Sequence, residues 1–357
     1  MTDKPFKTLE EQIEILKQRN LKFKDSENAK YVLMNNSYYG LINRYKEIFS
    51  ISTQNAEGDF EDDFQGNYFE DLLSIYDFDK NLSSLLYKYF SMIETTLKTS
   101  CSYYISLYIG EMQTNYLNKN NYARGYIVEH GKMKGRPSRE VTIDHLKKCI
   151  KKSGDPSIEY YKKEHNNVPP WISIPALSLG TIYELYRICP KEAKNDISSV
   201  FMNPKILDIS AQKNLFIKSL KFIHIYRNRV AHGQRIVNHC VEEKNVLPKH
   251  EFKLFSKNKK THMLVKDGRS DSIVGLFLSI TILLSSRSLV QSRFIDELES
   301  IFVTLKNRNY KAYDLMCRKV YDSKKYLFSL KKNIVMYCSS TRSYFYRLGI
   351  FKYQRLS

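Results

Sequence analysis

Residues 225–238 read IYRNRVAHGQRIVN, which begins like an amphipathic helix but contains three arginines, two asparagines and one histidine. On a helical wheel, at about 100° per residue, residues 216–239 divide into two faces. Apolar side chains form a core face made of Phe216, Leu220, Ile223, Tyr226, Val230 and Val237. Polar side chains form one stripe made of His224, Asn228, His232, Arg235 and His239. The pattern predicts one helix over 216–239, packed on one side and polar on the other.

Arg227 does not fit this division, because the wheel places it among the apolar residues. An unpaired guanidinium in a core costs several kcal/mol, so Arg227 needs an acidic partner, a subunit interface or a phosphate. Glu94 or Asp79 could supply the acid. Arg227 and His232 are about 140° apart on an ideal helix, so they converge only if the arginine extends or the helix distorts near Gly233. This geometry suits a site shared across an interface.

The net charge of the chain indicates its class of partner. Its 357 residues contain 57 Lys and Arg against 38 Asp and Glu, a formal charge of +19. Such an excess favours polyanions, because cationic side chains neutralise phosphates and release counterions. The alternative is a proteome that is basic throughout. On charge alone we favour nucleic acid as the partner.

The cysteines and the apolar runs bear on the compartment. Six scattered cysteines form no Cys-x-x-Cys pair, so they are expected to be free thiols in a reducing compartment. The first twenty residues are charged throughout and do not resemble a signal peptide. The apolar run VGLFLSITILL at 274–284 is shorter than the roughly 20 residues that span a bilayer, and it predicts a buried helix. We therefore expect a soluble, cytoplasmic protein without a membrane partner.

Periodicity predicts an all-α fold. Glycine and proline are scarce, and apolar residues recur every three to four positions. Thr8 with Glu11 predicts a capping box at the start of a first helix. A long helix is expected from about Asp77 to Ile109, and its core stripe is Leu82, Leu85, Leu86, Phe90, Ile93 and Leu97. The acidic stretch 56–64 is expected to be a solvated loop.

Composition divides the chain into a core over 1–245 and a basic, aromatic-rich helical extension over 246–357. Within the core, 118–168 is polar and basic, and we interpret it as a surface insertion of helix and loop rather than a linker. From residue 306 onward, thirteen Lys and Arg stand against two acids, with eight tyrosines interleaved. Such a segment either binds single-stranded RNA by phosphate contacts and base stacking or forms a basic hairpin with a core of aromatics. Candidate RNA-binding residues here are Lys324, Lys325, Lys331, Lys332, Tyr344 and Tyr346.

The residues of the 216–239 helix can support phosphodiester chemistry. A histidine titrates near neutral pH and can move protons, and an arginine fork can hold a phosphodiester and stabilise its developing charge. In RNA the neighbouring 2′-hydroxyl is the nucleophile, so we expect neither a metal nor a cofactor. His232 would be the general acid or base, Arg227 the phosphate clamp, and Asn228 an orienting group. Further candidate RNA-binding residues are Arg229, Arg235 and His239. An arginine and a histidine at this spacing also occur in many helices by chance.

The motif RNRVAHGQRIVN resembles the signature of HEPN ribonucleases, in which a histidine follows an arginine by four to six residues. More narrowly, roughly residues 6–245 resemble abortive-infection proteins of the AbiD/AbiF (Abi_2) type. The motifs that carry this resemblance, in the family's order, are QIEILKQRNLKF, NNSYYGLINRY, YDFDKNLSSLLYKYFSMIETTLKT, PPWISIPALSLGTIYELY and RNRVAHGQRIVN. The sequence departs from the family pattern at Gly40 and Lys98, where arginine is usual, and at Pro175, where an acid often follows the tryptophan.

The resemblance implies a HEPN-like helical bundle and a homodimer that brings two motifs into one cleft. It also implies metal-independent endoribonuclease activity in bacterial anti-phage defence. Some relatives are toxins restrained by a small noncoding RNA, in the manner of a toxin–antitoxin pair. A HEPN fold can also bind RNA without cleaving it, and the alternative function is a non-catalytic defence protein that sequesters RNA.

Overall fold

A computed structural model describes residues 5–54, 60–202, 207–255 and 271–321. The all-α prediction is confirmed, because helices dominate this part of the chain. They are α1 (Leu9–Gln18), α2 (Ser26–Asn36), a π-helical turn (Tyr39–Asn43), α3 (Arg44–Phe49), α4 (Phe69–Tyr108), α5 (Gln113–Tyr116), α6 (Ser138–Lys152), α7 (Pro156–His165), α8 (Pro170–Ser173), α9 (Leu179–Ile188), α10 (Lys191–Phe201), α11 (Ile209–Ala231), α12 (Lys249–Phe255), α13 (Ile273–Leu283), α14 (Ser288–Arg308) and α15 (Tyr310–Tyr321). Short 3₁₀ turns occur at Lys119–Asn121, Gly131–Met133, Ile174–Ala176 and Glu243–Asn245.

A β-hairpin occupies part of the acidic stretch that we expected to be a solvated loop. Strand β1 (Ile51–Gln54) pairs antiparallel with β2 (Phe60–Asp63), and Ile51 lies opposite Asp63. The Asp62 carboxylate of β2 accepts a 2.7 Å hydrogen bond from Lys46 Nζ. The loop prediction is therefore wrong for 60–63, because the backbone of this segment pairs with β1.

Two predicted helical features occur in the structure, one as predicted and one with an earlier start. Thr8 and Glu11 form the capping box at the start of α1, with each side chain accepting from the other residue's backbone N–H. The long helix α4 begins at Phe69, earlier than predicted, because Phe69, Leu72 and Ile75 continue its buried stripe. All members of the predicted stripe are buried except Leu85, which is half-buried.

The chain folds into two compact units, and each is built from separate stretches of sequence. The first contains the described residues up to Leu85, Gln234–Asn238 and the described residues from Arg293 onward. The second contains Leu86–Gly233 and His239–Ser292 within the described ranges. The predicted boundary between 1–245 and 246–357 stays a prediction.

Asp79 is a buried acceptor in the first unit. Its carboxylate accepts a 2.6 Å hydrogen bond from the Tyr45 hydroxyl. It also accepts from the backbone N–H groups of Ile236 and Val237, at 3.2 and 3.1 Å. Burial raises the pKa of Asp79, while these donors oppose the shift. Asp79 thus fixes the backbone near the end of the RNRVAHGQRIVN motif and is not the partner of Arg227.

Helix α11 lies at the centre of the second unit, where α9, α10, α12 and α13 pack around it. Every residue of α13 is buried, which confirms the buried helix predicted from the apolar run. Within the described residues, no helix is both long enough and apolar enough to span a membrane.

The basic region 118–168 includes α6 and α7. Helix α6 packs against α9, and its buried side chains are Ile143, Leu146 and Ile150, together with Ser138 and Thr142. The lysines of α6, among them Lys147 and Lys148, are exposed on the opposite side. This region therefore adds an amphipathic helix to the second unit.

Candidate active site

Helix α11 ends at Ala231, so the prediction of one helix over 216–239 is wrong in its last turns. His232 caps the helix, and its N–H donates to the carbonyl of Asn228. Gly233 has a φ of +62°, in the left-handed region that commonly ends a helix. Arg235 and His239 consequently lie beyond the helix and do not continue the stripe of His224, Asn228 and His232.

Arg227 is paired with Glu94 of α4. Its Nε atom lies 3.7 Å from Glu94 Oε2, and its side chain is 29% exposed. The contact is an ion pair without a hydrogen bond, and the buried Nε makes no hydrogen bond to any described residue. Lys98, one turn further along α4, contacts the same carboxylate at 2.8 Å. The predicted need for an acid partner is met by Glu94, although Arg227 is less buried than its wheel position indicated.

The Arg227 side chain opens into a polar hollow of about 180 Å³, which we call the Arg227 hollow. Its lining residues are Tyr87, Phe90, Ser91, Glu94, Thr95, Lys98 and Arg227. Two cations and one carboxylate give it a formal excess of one positive charge. A phosphate group suits such a site, because it can accept hydrogen bonds from both cations.

His224 orients Asn228 and is itself neutral near pH 7. Its Nε2 atom lies 3.2 Å from the Asn228 side-chain amide nitrogen, one helical turn away. Burial lowers the His224 pKa to about 4, and the positive charges of Lys221 and Arg227 add to the shift. The His224 ring stacks on Tyr183, with a centroid separation of 6.1 Å. A neutral ring can accept from the amide, so the Asn228 side chain is oriented by its neighbour on α11.

His232 is exposed at the end of α11 and does not line the Arg227 hollow. Arg229, in the last turn of the helix, is half-buried. Within one chain, therefore, the hollow contains the proposed phosphate clamp but not the proposed acid or base.

Arg235 and His239 are held by contacts within their own units. In the first unit, Arg235 donates to Glu47 Oε2 at 2.9 Å and to the Arg44 carbonyl. In the second unit, the His239 carbonyl accepts from the Tyr226 hydroxyl at 2.6 Å. Burial, assisted by the charge of Arg229, lowers the His239 pKa to about 4. An RNA contact at either residue stays a prediction.

The candidate RNA-binding residues of the extension lie outside the described residues, and their roles also stay predictions. They are Lys324, Lys325, Lys331, Lys332, Tyr344 and Tyr346.

Three residues that the structure places beside the candidate site were not among the site residues predicted from the sequence. Glu94 was one of two possible partners for Arg227, Lys98 was noted as a departure from a family pattern, and His224 was a member of the polar stripe. Their spacing could have indicated these contacts from the sequence. Glu94 and Lys98 are four residues apart, as are His224 and Asn228, and residues at this spacing are neighbours on a helix.

A family model described as Abi-like protein matches residues 31–238, from α2 to the segment held by Asp79. The match covers more than half of the sequence, and the chain belongs to the Abi-like protein family. Membership suggests an abortive-infection or defence protein. Neither the comparison with curated proteins nor that with solved structures gave a match.

Proposed function

We propose that this protein is the RNA-cleaving effector of a bacterial anti-phage abortive-infection system, with a metal-independent site of the HEPN type. One observation carries the proposal. The Arg227 guanidinium opens into a polar hollow beside Lys98, and the exposed His232, five positions later, caps the end of the same helix. The family match is consistent with this role.

Cleavage by such a site needs only the RNA and these side chains. The 2′-hydroxyl oxygen attacks the adjacent phosphorus, and the bond from phosphorus to the 5′-oxygen breaks. The products are a 2′,3′-cyclic phosphate and a 5′-hydroxyl. One group accepts the proton from the 2′-hydroxyl, and one returns a proton to the leaving oxygen. His232 performs one of these transfers, while Arg227 stabilises the charge on the phosphate oxygens and Asn228 orients the substrate.

The separation of Arg227 from His232 supports a homodimeric site. His232 does not line the hollow into which Arg227 opens. Two copies related by a twofold axis can bring His232 of one copy to the Arg227 hollow of the other, because an isologous interface repeats each contact twice. A small noncoding RNA that occupies this cleft would restrain the nuclease, and the charge of +19 suits such a partner.

The ion pair of Arg227 with Glu94 favours a second candidate function. A guanidinium that is already partly neutralised stabilises the developing charge of a transition state less, so the site would hold RNA without cutting it and the protein would act by sequestering RNA. The ribonuclease and the sequestering protein differ in whether the bound RNA is cleaved.

The two functions are separated by incubating the purified chain with RNA in EDTA. The ribonuclease proposal predicts cleavage that survives chelation and is lost in His232→Ala. His250→Ala, which changes an exposed histidine on α12, is the matched control and should cut like the wild type. Binding without cleavage, or equal cleavage by His232→Ala, contradicts the proposal.

A further inference from the structure

A second hollow lies in the first unit, between the early turns of α4 and the last turns of α14. Its volume is about 280 Å³. That value is close to the lower end of the range of about 300–1,000 Å³ found for small-molecule sites. We call it the Asp77 hollow. Its lining includes three polar and three apolar side chains, which are Asp77, Asn81 and Arg308, and Phe78, Ile301 and Leu305.

Asp77 and Arg308 bring opposite charges to this hollow without forming an ion pair. Within the described residues, neither side chain makes a hydrogen bond or an ion pair. Burial raises the pKa of the half-buried Asp77, and the positive charge of Arg308 partly offsets this shift. The two charges are therefore close enough to influence each other, yet both keep their hydrogen-bonding capacity for a third group.

A carboxylate that has lost part of its hydration is stabilised by a donor, and here no described residue supplies one. A ligand can supply it. The exposed Arg308 guanidinium can donate to an acceptor on the same ligand. Asn81, one helical turn after Asp77, also has a side chain that makes no hydrogen bond within the described part of the chain, and it can either donate or accept.

The charges of the lining select a ligand that carries both signs. Asp77 and Arg308 give the described lining a formal charge of zero. A simple cation would be attracted by Asp77 but repelled by Arg308, and a phosphate group would meet the reverse. A small zwitterion is attracted by both residues at once. The adjoining apolar wall of Phe78, Ile301 and Leu305 suits a hydrocarbon side chain on such a molecule.

We propose that the Asp77 hollow is a binding site for a free α-amino acid with an apolar side chain. The ammonium group donates to Asp77, and the carboxylate accepts from Arg308. The hydrocarbon side chain packs on the apolar wall, while Asn81 forms a further hydrogen bond with one of the polar groups. The inference goes beyond the proposed function and does not depend on it, because this binding needs no RNA.

Calorimetric titration of the full chain with L-leucine, up to millimolar concentration and without RNA, tests the site. The wild type should show saturable binding. Two analogues of leucine separate the two charges: 4-methylpentanoic acid lacks the ammonium group, and L-leucinamide lacks the carboxylate. Each should bind about 10-fold more weakly or worse, because each loses one charge-assisted hydrogen bond.

Substitutions test the same contacts from the side of the protein. Asp77→Asn and Arg308→Gln should each weaken leucine binding about 10-fold or more. Asp296→Asn and Arg293→Gln change exposed residues of α14 by the same charges, and these controls should bind leucine like the wild type. Circular dichroism checks that each variant is folded, and the exposed position of Arg308 makes its substitution the safer of the two.

Three results would overturn the proposal. The first is the absence of saturable binding of leucine, valine and phenylalanine to the wild type. The second is equal binding of leucine by folded Arg308→Gln and by the wild type. The third is an analogue without one of the charges that binds as tightly as leucine. None of these results depends on whether the chain cleaves RNA, so the amino-acid site and the ribonuclease can fail separately.

Discussion

Glu94 Oε2 lies 3.7 Å from Arg227 Nε, so the two side chains attract each other without forming a hydrogen bond. The same carboxylate is 2.8 Å from Lys98, which makes Lys98 its closer partner. Glu94 thus positions two cations in one hollow and leaves the arginine donors available to a phosphate. We infer that Glu94 is a positioning residue for the clamp.

Glu94→Gln should separate RNA binding from RNA cleavage. Removing a negative charge beside the phosphate should tighten binding, while a less well oriented Arg227 should slow cleavage of bound RNA by about tenfold or more. Single-turnover cleavage and an equilibrium titration measure the two effects. Glu159→Gln, at an exposed acid on α7, is the control for a change of charge alone. A Glu94→Gln chain that matches the wild type in both measurements contradicts this role.

Loss of the Asp79 carboxylate should destabilise the first unit strongly. Asp79→Ala leaves the Tyr45 hydroxyl and two backbone N–H groups without their acceptor in a buried site. We expect a loss of about 3–5 kcal/mol in the free energy of unfolding, measured by denaturant titration. Tyr45→Phe removes one of the three donors and should cost less. A loss below about 1 kcal/mol in Asp79→Ala would show that water replaces the carboxylate.

We expect a substitution of Gly233 to lower stability because of the backbone conformation of this residue, and not because a side chain would clash with its neighbours. A Cβ added at Gly233 meets no atom within 4 Å, and the same holds at Gly154. Gly233 has a φ of +62°, whereas Gly154 is not among the residues with positive φ. Gly233→Ala should therefore lower the free energy of unfolding by about 1–2 kcal/mol, and Gly154→Ala should leave it nearly unchanged. Equal effects of the two substitutions would show that the left-handed turn after α11 contributes little.

Stability should fall as the pH is lowered from about 6.5 to about 4, because His224 and His239 have pKa values near 4 in the folded chain. An unfolded histidine takes up a proton near pH 6.5, so the unfolded chain binds more protons within this window. The contribution of these histidines is complete above pH 6.5 and is lost as the pH falls toward 4. His224→Gln should make the melting temperature depend less on pH in this range, measured as the difference from the wild type. A parallel pH profile would show that His224 titrates normally.

Local chemistry explains which parts of the structure were predictable. The capping box of Thr8 and Glu11 and the buried helix α13 each depend on residues within a few positions of one another. The end of α11 was also signalled locally, since Gly233 follows directly after His232, but the apolar position of Val237 and the polar positions of Arg235 and His239 extended the helical pattern past it. Val237 and its neighbour Ile236 are buried outside any helix, and their backbone N–H groups donate to Asp79, which is far away in the sequence.

For the candidate site, the sequence predicted that Arg227 needs a partner but not which residue that partner is. The position of Arg227 on the wheel called for an acid, and sequence alone left Glu94 and Asp79 as equal alternatives. Only the packing of α4 assigns Glu94 to Arg227 and Asp79 to Tyr45. Asp77 and Arg308 are far apart in the sequence, and their shared hollow could not be predicted from either segment alone.

Mixing two inactive chains tests the central claim, a ribonuclease site that combines Arg227 of one copy with His232 of the other. Arg227→Ala and His232→Ala are purified separately, mixed in equal amounts, exchanged under mild denaturant and assayed for RNA cleavage in EDTA. Each variant alone should be inactive. The mixture should recover about a quarter of wild-type activity, because half of the dimers are mixed and each mixed dimer has one intact site of two. A mixture that stays inactive, although labelled chains are shown to have exchanged, contradicts the shared site.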